Sequence, residues 1–210
     1  ELLAANMPLV HVGIGLNTLD GRISRLFEPG AAPPEVRLAQ LAALVRAGIA
    51  VQVRLDPILP GVTDDERTLR EVLGAVADAG VRDVAISTAF MRPAIAGALR
   101  GQLEAPLANA LLRHYGNGCR LTMAGAETGI VMPPVATRRT ICDRARRIAA
   151  RHGLEVRICA CKNSDLADGS CHIAGSAASR QHGHVQGELF GACEAERREQ
   201  LVREIASGVR

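Results

Sequence analysis

The sequence predicts an α/β fold, a partial (β/α) TIM-like barrel with its N-terminal strands missing, and three observations predict it. Short segments of alternating apolar residues are each followed by a helix-length segment of 3.6-residue periodicity, which implies parallel strands joined by right-handed crossovers. Each strand segment has one apolar face and one small or polar face, whereas strands of an open doubly wound sheet are buried on both sides and read as continuous apolar runs. A barrel with helices outside and a ligand-lined lumen accommodates both faces, and about four clear strands make it a partial one.

The first strand runs from Leu9 to Asn17, with Val10, Val12, Ile14 and Leu16 on one face and His11, Gly13, Gly15 and Asn17 on the other. A Gly/Pro-rich loop holding Glu28, Pro29 and Gly30 follows, and Pro33-Pro34 opens a helix with the stripe Leu38, Leu41, Ala42 and Val45. Gly48 ends it. The second strand sets Ile49, Val51, Val53 and Leu55 against Gln52, Arg54 and Asp56, and stops at the breaker Pro57–Gly61. Thr63 and Glu66 are spaced as a capping box for a helix that buries Leu69, Val72, Leu73 and Val76 and ends at Gly80. Val84 and Ile86, alternating with Ala85 and Ser87, begin a third unit.

A largely helical stretch is expected from about Pro93 to Tyr115, and the glycine-rich segment from Gly116 to Gly129 has no clear period. Ile141, Ala145, Ile148 and Ala149 stripe a helix from about Pro134 to His152, which Gly153 ends. In the strand after it, Leu154, Val156, Ile158 and Ala160 oppose Glu155, Arg157, Cys159 and Cys161. The organisation expected is therefore residues 1–115 as the C-terminal half of a barrel, 116–165 as its final helix-strand unit or extension, and 166–210 as a Cys/His-containing tail with a terminal helix. The chain begins with Glu1 and enters an apolar strand within ten residues, so a missing natural N-terminus is expected, with an open apolar edge on the first strand.

Composition excludes several classes. The 210 residues are 48% hydrophobic, enough for a sizeable core, and a net charge of +3 forces no polyanionic partner. Three phenylalanines, one tyrosine and no tryptophan argue against a surface that stacks single-stranded bases. No long apolar run and no signal-peptide layout is present, so a cytoplasmic protein is expected. In that compartment the six cysteines are expected as thiols or metal ligands rather than disulfides, with Cys119 and Cys142 isolated.

On the lumen reading, His11, Asn17, Gln52, Arg54, Asp56, Ser87, Cys159 and Cys161 converge near the C-terminal ends of the parallel strands, where barrel enzymes keep their sites. At these residues the chain resembles a known family. Gly15-Leu16-Asn17-Thr18-Leu19-Asp20, Glu28-Pro29-Gly30, Arg37-Leu38, Ala47-Gly48-Ile49 and Val53-Arg54-Leu55-Asp56-Pro57-Ile58-Leu59-Pro60-Gly61, with Asp64, resemble the fourth and fifth strands of radical S-adenosylmethionine (SAM) proteins of the spore photoproduct lyase and DNA repair photolyase group. The match covers roughly residues 9 to 90, with a looser echo from Arg138 to Cys161.

The resemblance implies a radical SAM barrel and SAM bound against a [4Fe-4S] cluster, from which a 5′-deoxyadenosyl radical abstracts a hydrogen from substrate. It implies cofactor contacts at Asn17, Arg54 and Ser87, residues that periodicity alone also places on the lumen face. The arginine is suited to a two-pronged ion pair with the SAM carboxylate; its ordinary alternative is a tie between strand end and loop. The C-x-x-x-C-x-x-C cluster motif is absent, so the main cluster ligands are expected outside this chain, which alone should lack radical chemistry. Gly15 stands where spore photoproduct lyase has its hydrogen-donor cysteine, so photoproduct repair is not the expected reaction.

Cys159, Cys161 and Cys171 form a second signal, since thiolates two apart on a strand share a face and a nearby loop can add ligands for an auxiliary Fe-S cluster or zinc. Incidental thiols are the alternative, and the fourth ligand is left open as Cys193, His172 or neither. Arg138, Arg139, Arg144, Arg146, Arg147 and Arg151 give the late helix a basic side that is either solvated or directed at DNA phosphates. Gln186-Gly187-Glu188-Leu189-Phe190 resembles peptides that dock on the sliding clamp. The rival functions are a metal-dependent barrel enzyme without SAM and a non-catalytic DNA-repair adaptor.

Overall fold

A computed structural model describes residues 2–5, 10–123, 126–158, 163 and 165–167. A short helix α1 (Leu2–Ala5) precedes β1 (His11–Gly15), α2 (Gly21–Phe27), α3 (Pro34–Arg46), β2 (Ala50–Ile58), α4 (Glu66–Asp78) and β3 (Asp83–Thr88). Then come α5 (Pro93–Gln102), α6 (Ala105–Leu112) with a 3-10 turn at Arg113–Tyr115, β4 (Cys119–Met123), β5 (Ala126–Met132), α7 (Val135–Ala150) and β6 (Glu155–Ile158).

The four strands β1-β2-β3-β6 form one parallel sheet in that order. Val51, Val53 and Leu55 of β2 and Val84 and Ile86 of β3 point to one face. There they meet Leu41 of α3, Leu69, Val72, Leu73 and Val76 of α4, and Ile141, Ala145, Ile148 and Ala149 of α7, all in one buried cluster. Every apolar position that the alternation assigned to that face in these strands is in the cluster, which is what a period-2 pattern facing a period-3.6 pattern produces. The fold is thus mixed α/β around a four-stranded parallel sheet.

Several local expectations are corrected. Asp20 accepts hydrogen bonds from the Arg22 and Ile23 N–H groups at 2.7 and 3.1 Å, so half of the expected loop is the helix α2. Those two amides, Ile23 foremost, hold the Asp20 carboxyl below its usual range. α4 is capped by Asp65, not by a Thr63/Glu66 box: Asp65 accepts from the Thr68 N–H at 2.9 Å. Thr63 instead turns inward and accepts from the Leu59 N–H at 2.9 Å, closing the Pro60-Gly61 turn. The stretch from Pro93 is two helices because the chain extends at Leu103 and Glu104 before Pro106 restarts it. The glycine-rich segment is the antiparallel hairpin β4-β5, where a side chain on Gly118 would collide with the Met132 carbonyl.

Candidate functional site

The second face of the sheet carries the polar residues, and its register is set by the backbone ladder. Gly15, Arg54, Ala85 and Arg157 lie side by side across the four strands. Two residues further along, at the C-terminal edge, come Asn17, Asp56 and Ser87, with the Leu16 N–H still bonded to the Arg54 carbonyl at 3.0 Å. The three residues expected to contact cofactor, Asn17, Arg54 and Ser87, are therefore brought to neighbouring positions on one edge. His11 and Gln52 are not: His11 pairs with Ala50 at the opposite end of the strands, and Gln52 donates to Asp83 at the start of β3 at 3.4 Å. Strand alternation fixes the face but not the end, which is why the sequence grouped them with the rest.

Arg54 is one-third exposed along its side chain and is held by Asp56, whose carboxylate is 5% exposed, through a contact of 2.9 Å. Gly13, beside it on β1, leaves space that a Cβ would narrow to 3.5 Å from Arg54 Cδ. Asn17 is 7% exposed. Its Nδ2 donates to Glu28 Oε1 at 3.1 Å, while Glu28 Oε2 accepts from Arg37 Nη1 at 2.8 Å. Arg37 also donates to the Gly15 carbonyl at 2.9 Å and to Ser24 Oγ at 2.8 Å, so one buried guanidinium ties α3, α2 and the end of β1 together. Among the described residues, neither Asn17 Oδ1, which is buried, nor Thr88 Oγ1 at the end of β3 has a hydrogen-bond partner.

Ser87 is 1% exposed; its hydroxyl donates to the Thr88 carbonyl and accepts from Asn163 Nδ2, both at 3.2 Å. Asn163 Oδ1 accepts from Arg138 Nη1 at 3.2 Å. Arg138 is completely buried, donates to the Pro133 carbonyl at 3.0 Å, and is paired with both carboxylate oxygens of Asp165.

That geometry corrects the basic face expected of α7. Arg138 is an internal ion-pair partner, and Arg144 bonds the Asp64 carbonyl and lies 3.5 Å from the Asp64 carboxylate. Arg139 and Arg147 are exposed. Cys142 packs in the helix-sheet core. Cys119, expected as an isolated thiol, is disulfide-bonded, a pairing that spacing along the chain does not reveal.

Cys159, Cys161 and Cys171, the expected metal ligands, lie outside the described residues, as do His172, Cys193 and the segment Gln186 to Phe190. Among the described residues no three His, Cys, Asp or Glu side chains are grouped to hold a metal ion, and no helix is long and apolar enough to cross a membrane. A cavity of about 440 Å³ opens at the other end of the sheet, between Val45, Ile49, Val51, Gly80, Val81 and Glu155. Its largely apolar lining and its distance along the strands separate it from the polar edge.

Glu28, Arg37, Thr88, Arg138 and Asp165 belong to the strand-end networks but were not singled out by sequence as residues of this strand-edge site, whereas Asn163 was read as a hydrogen-bond donor to cluster sulfurs or substrate. A signal was present for the two arginines. Arg37 stands four residues before Leu41, and Arg138 three before Ile141, so each lies on the buried stripe of its helix.

No family model matches the chain. Uncharacterized proteins of Mycobacterium tuberculosis and Mycobacterium bovis are 34% identical to it over 107 residues, a stretch that takes in 51% of this chain and 30% of each relative. The chain thus spans well under half of the relatives it matches. A solved domain of a pyruvate-formate lyase-activating enzyme from Bacteroides vulgatus aligns over 71% of this chain and 66% of its own, with 15% identity and a TM-score of 0.44. A likeness that loose carries no argument.

Proposed function

We propose that the chain is the SAM-facing part of a radical SAM enzyme, a portion of a (β/α) barrel whose polar strand edge holds the amino-acid and ribose groups of SAM. The observation that carries the reading is the grouping of Asn17, Asp56 and Ser87, with Arg54 one row below them, toward the C-terminal ends of adjacent parallel strands. The same residues stand in the stretch that resembles the family.

The donor set suits the cofactor. Asn17 Oδ1 is a buried acceptor in want of a donor, which SAM offers in its ammonium and ribose hydroxyls. Arg54, held by Asp56 and one-third exposed along its side chain, is of the residue type suited to a two-pronged pair with a carboxylate. Gly13 and Gly15 keep the neighbouring strand bare, so a ligand can approach the backbone. When bound at a reduced cluster, SAM supplies a radical that removes hydrogen from substrate. This chain's residues bind and orient it, and the main cluster's ligands are assigned outside the chain.

An auxiliary Fe-S or zinc site at Cys159, Cys161 and Cys171 is part of the same proposal, on sequence spacing alone. Nucleic acid is the substrate class that the family resemblance implies, and a sliding clamp is the partner proposed on the likeness of Gln186 to Phe190 to clamp-docking peptides. Arg139 and Arg147 are the exposed α7 groups that would meet phosphate.

Calorimetric titration with SAM tests the central part. The chain is expected to bind, and Arg54→Ala is expected to weaken binding about tenfold or more, the loss of a charge-assisted pair, read well below a melting temperature that falls because buried Asp56 loses this partner. Equal affinity in the variant rejects Arg54 as the carboxylate partner. Anaerobic iron, sulfide and zinc analysis of the same preparation, with a Cys159→Ala/Cys161→Ala variant, tests the auxiliary site; metal content unchanged by the variant contradicts it.

A further inference from the structure

We infer that Glu28 is a positioning residue that fixes which atom of the Asn17 amide faces the ligand. The inference rests on the SAM reading and goes beyond it, to the polarity of one contact. An asparagine amide presents a carbonyl oxygen on one side and an NH2 group on the other, and their assignment follows from the hydrogen-bond network. Here the network has one solution. Glu28 is an acceptor held by Arg37 at 2.8 Å, so the Asn17 atom that meets Glu28 Oε1 at 3.1 Å must be the donor Nδ2. Arg37 is itself held by the Gly15 carbonyl and Ser24 Oγ, so the group that anchors Glu28 is fixed.

The consequence is that Oδ1 is left as the unanswered end of a relay from Arg37 through Glu28 to Asn17. It is buried, in a residue 7% exposed, and has no partner among the described residues. An unanswered buried acceptor at a strand end is costly to keep, and a ligand N–H or O–H group at that point answers it. Asn17 therefore takes a hydrogen-bond donor from the ligand, an ammonium or a ribose hydroxyl, and rejects an acceptor there.

Glu28→Gln tests the relay because it is isosteric and reverses the logic. The carbonyl of the introduced glutamine takes over the Arg37 bond, its NH2 then meets Asn17, and the Asn17 amide must turn over and offer Nδ2 to the ligand. We expect SAM affinity to fall about tenfold or more; loss of the carboxylate beside buried Arg37 also lowers the melting temperature, so affinity is read well below it. The double variant Glu28→Gln/Asn17→Asp restores an acceptor, since the introduced carboxylate can accept from the new glutamine amide and from the ligand together. It is expected to recover most of the affinity.

A merely structural role for Glu28 would give no recovery of affinity in the double variant. Methylthioadenosine, which keeps the ribose and lacks the ammonium, separates the two donors: it is weakened by Glu28→Gln only if the hydroxyl is the donor. If the parent chain binds SAM and Glu28→Gln binds equally well, the relay is wrong and the SAM reading stands. Failure of the parent chain to bind SAM overturns both.

Discussion

Burying a guanidinium is costly unless its N–H groups are answered, and Arg138 meets that condition through Pro133, Asn163 and Asp165. The pair joins the start of α7 to the segment after β6, and through Asn163 it reaches Ser87 in the site row. Removing one member leaves the other charged and largely desolvated. Arg138→Met should therefore lower the unfolding free energy by about 3–5 kcal/mol in urea titrations, and adding Asp165→Leu should return part of it. A loss near zero for the single variant would mean that the ion pair is dispensable. The same residue shows where residue-level reading fails. The arginines of this helix look alike as charges, and only position relative to the stripe of Ile141, Ala145 and Ile148 separates the buried one from the solvated ones. Asn17 and Arg54 were legible because strand alternation gives the face directly. Glu28 was not, since a loop residue's partner, Arg37 on the next helix, has no periodic signature.

At the scale of elements, the strands and the long helices followed from their periods, and the exceptions are all cases of local side-chain chemistry. α2 exists because Asp20 caps it, in a segment that composition marks as loop. α4 begins at Asp65 because a carboxylate accepts the Thr68 N–H as well as a threonine hydroxyl would, leaving Thr63 for the turn before it. Burial works to raise the Asp65 carboxyl, but hydrogen bonds from the Thr68 hydroxyl and amide outweigh it and leave the group below its usual value of 3.8. A carboxylate depressed by folding contributes stability above its unfolded pKa and loses it as pH falls through the folded one. Asp65→Asn keeps a capping oxygen without the charge. In thermal melts against pH, it should remove that component of the decline below about pH 4 while changing stability little at neutral pH. Identical acid profiles would show that the cap is not linked to pH.

At the scale of the molecule, α3, α4 and α7 pack on one face of the four-stranded parallel sheet, and the polar groups of the other face are sorted by height along the strands. Arg54, Asp56, Asn17 and Ser87 gather at the C-terminal edge, whereas the largely apolar cavity beside Ile49 and Val81 sits at the other. Parallel strands direct all their C-terminal ends to one side, so residues distant in sequence meet there. The sequence could group the polar face but not rank its heights, which is why His11 and Gln52 were placed with the site. The claim that this edge is the SAM site is tested most directly by following backbone amide NMR shifts during titration with SAM. The account predicts perturbations concentrated at Gly15 to Thr18, Arg54 to Asp56 and Ser87 to Thr88, with Gly48 to Val51 and Val81 to Asp83 unmoved. Perturbations centred on the cavity end, or none at saturating SAM, would contradict it.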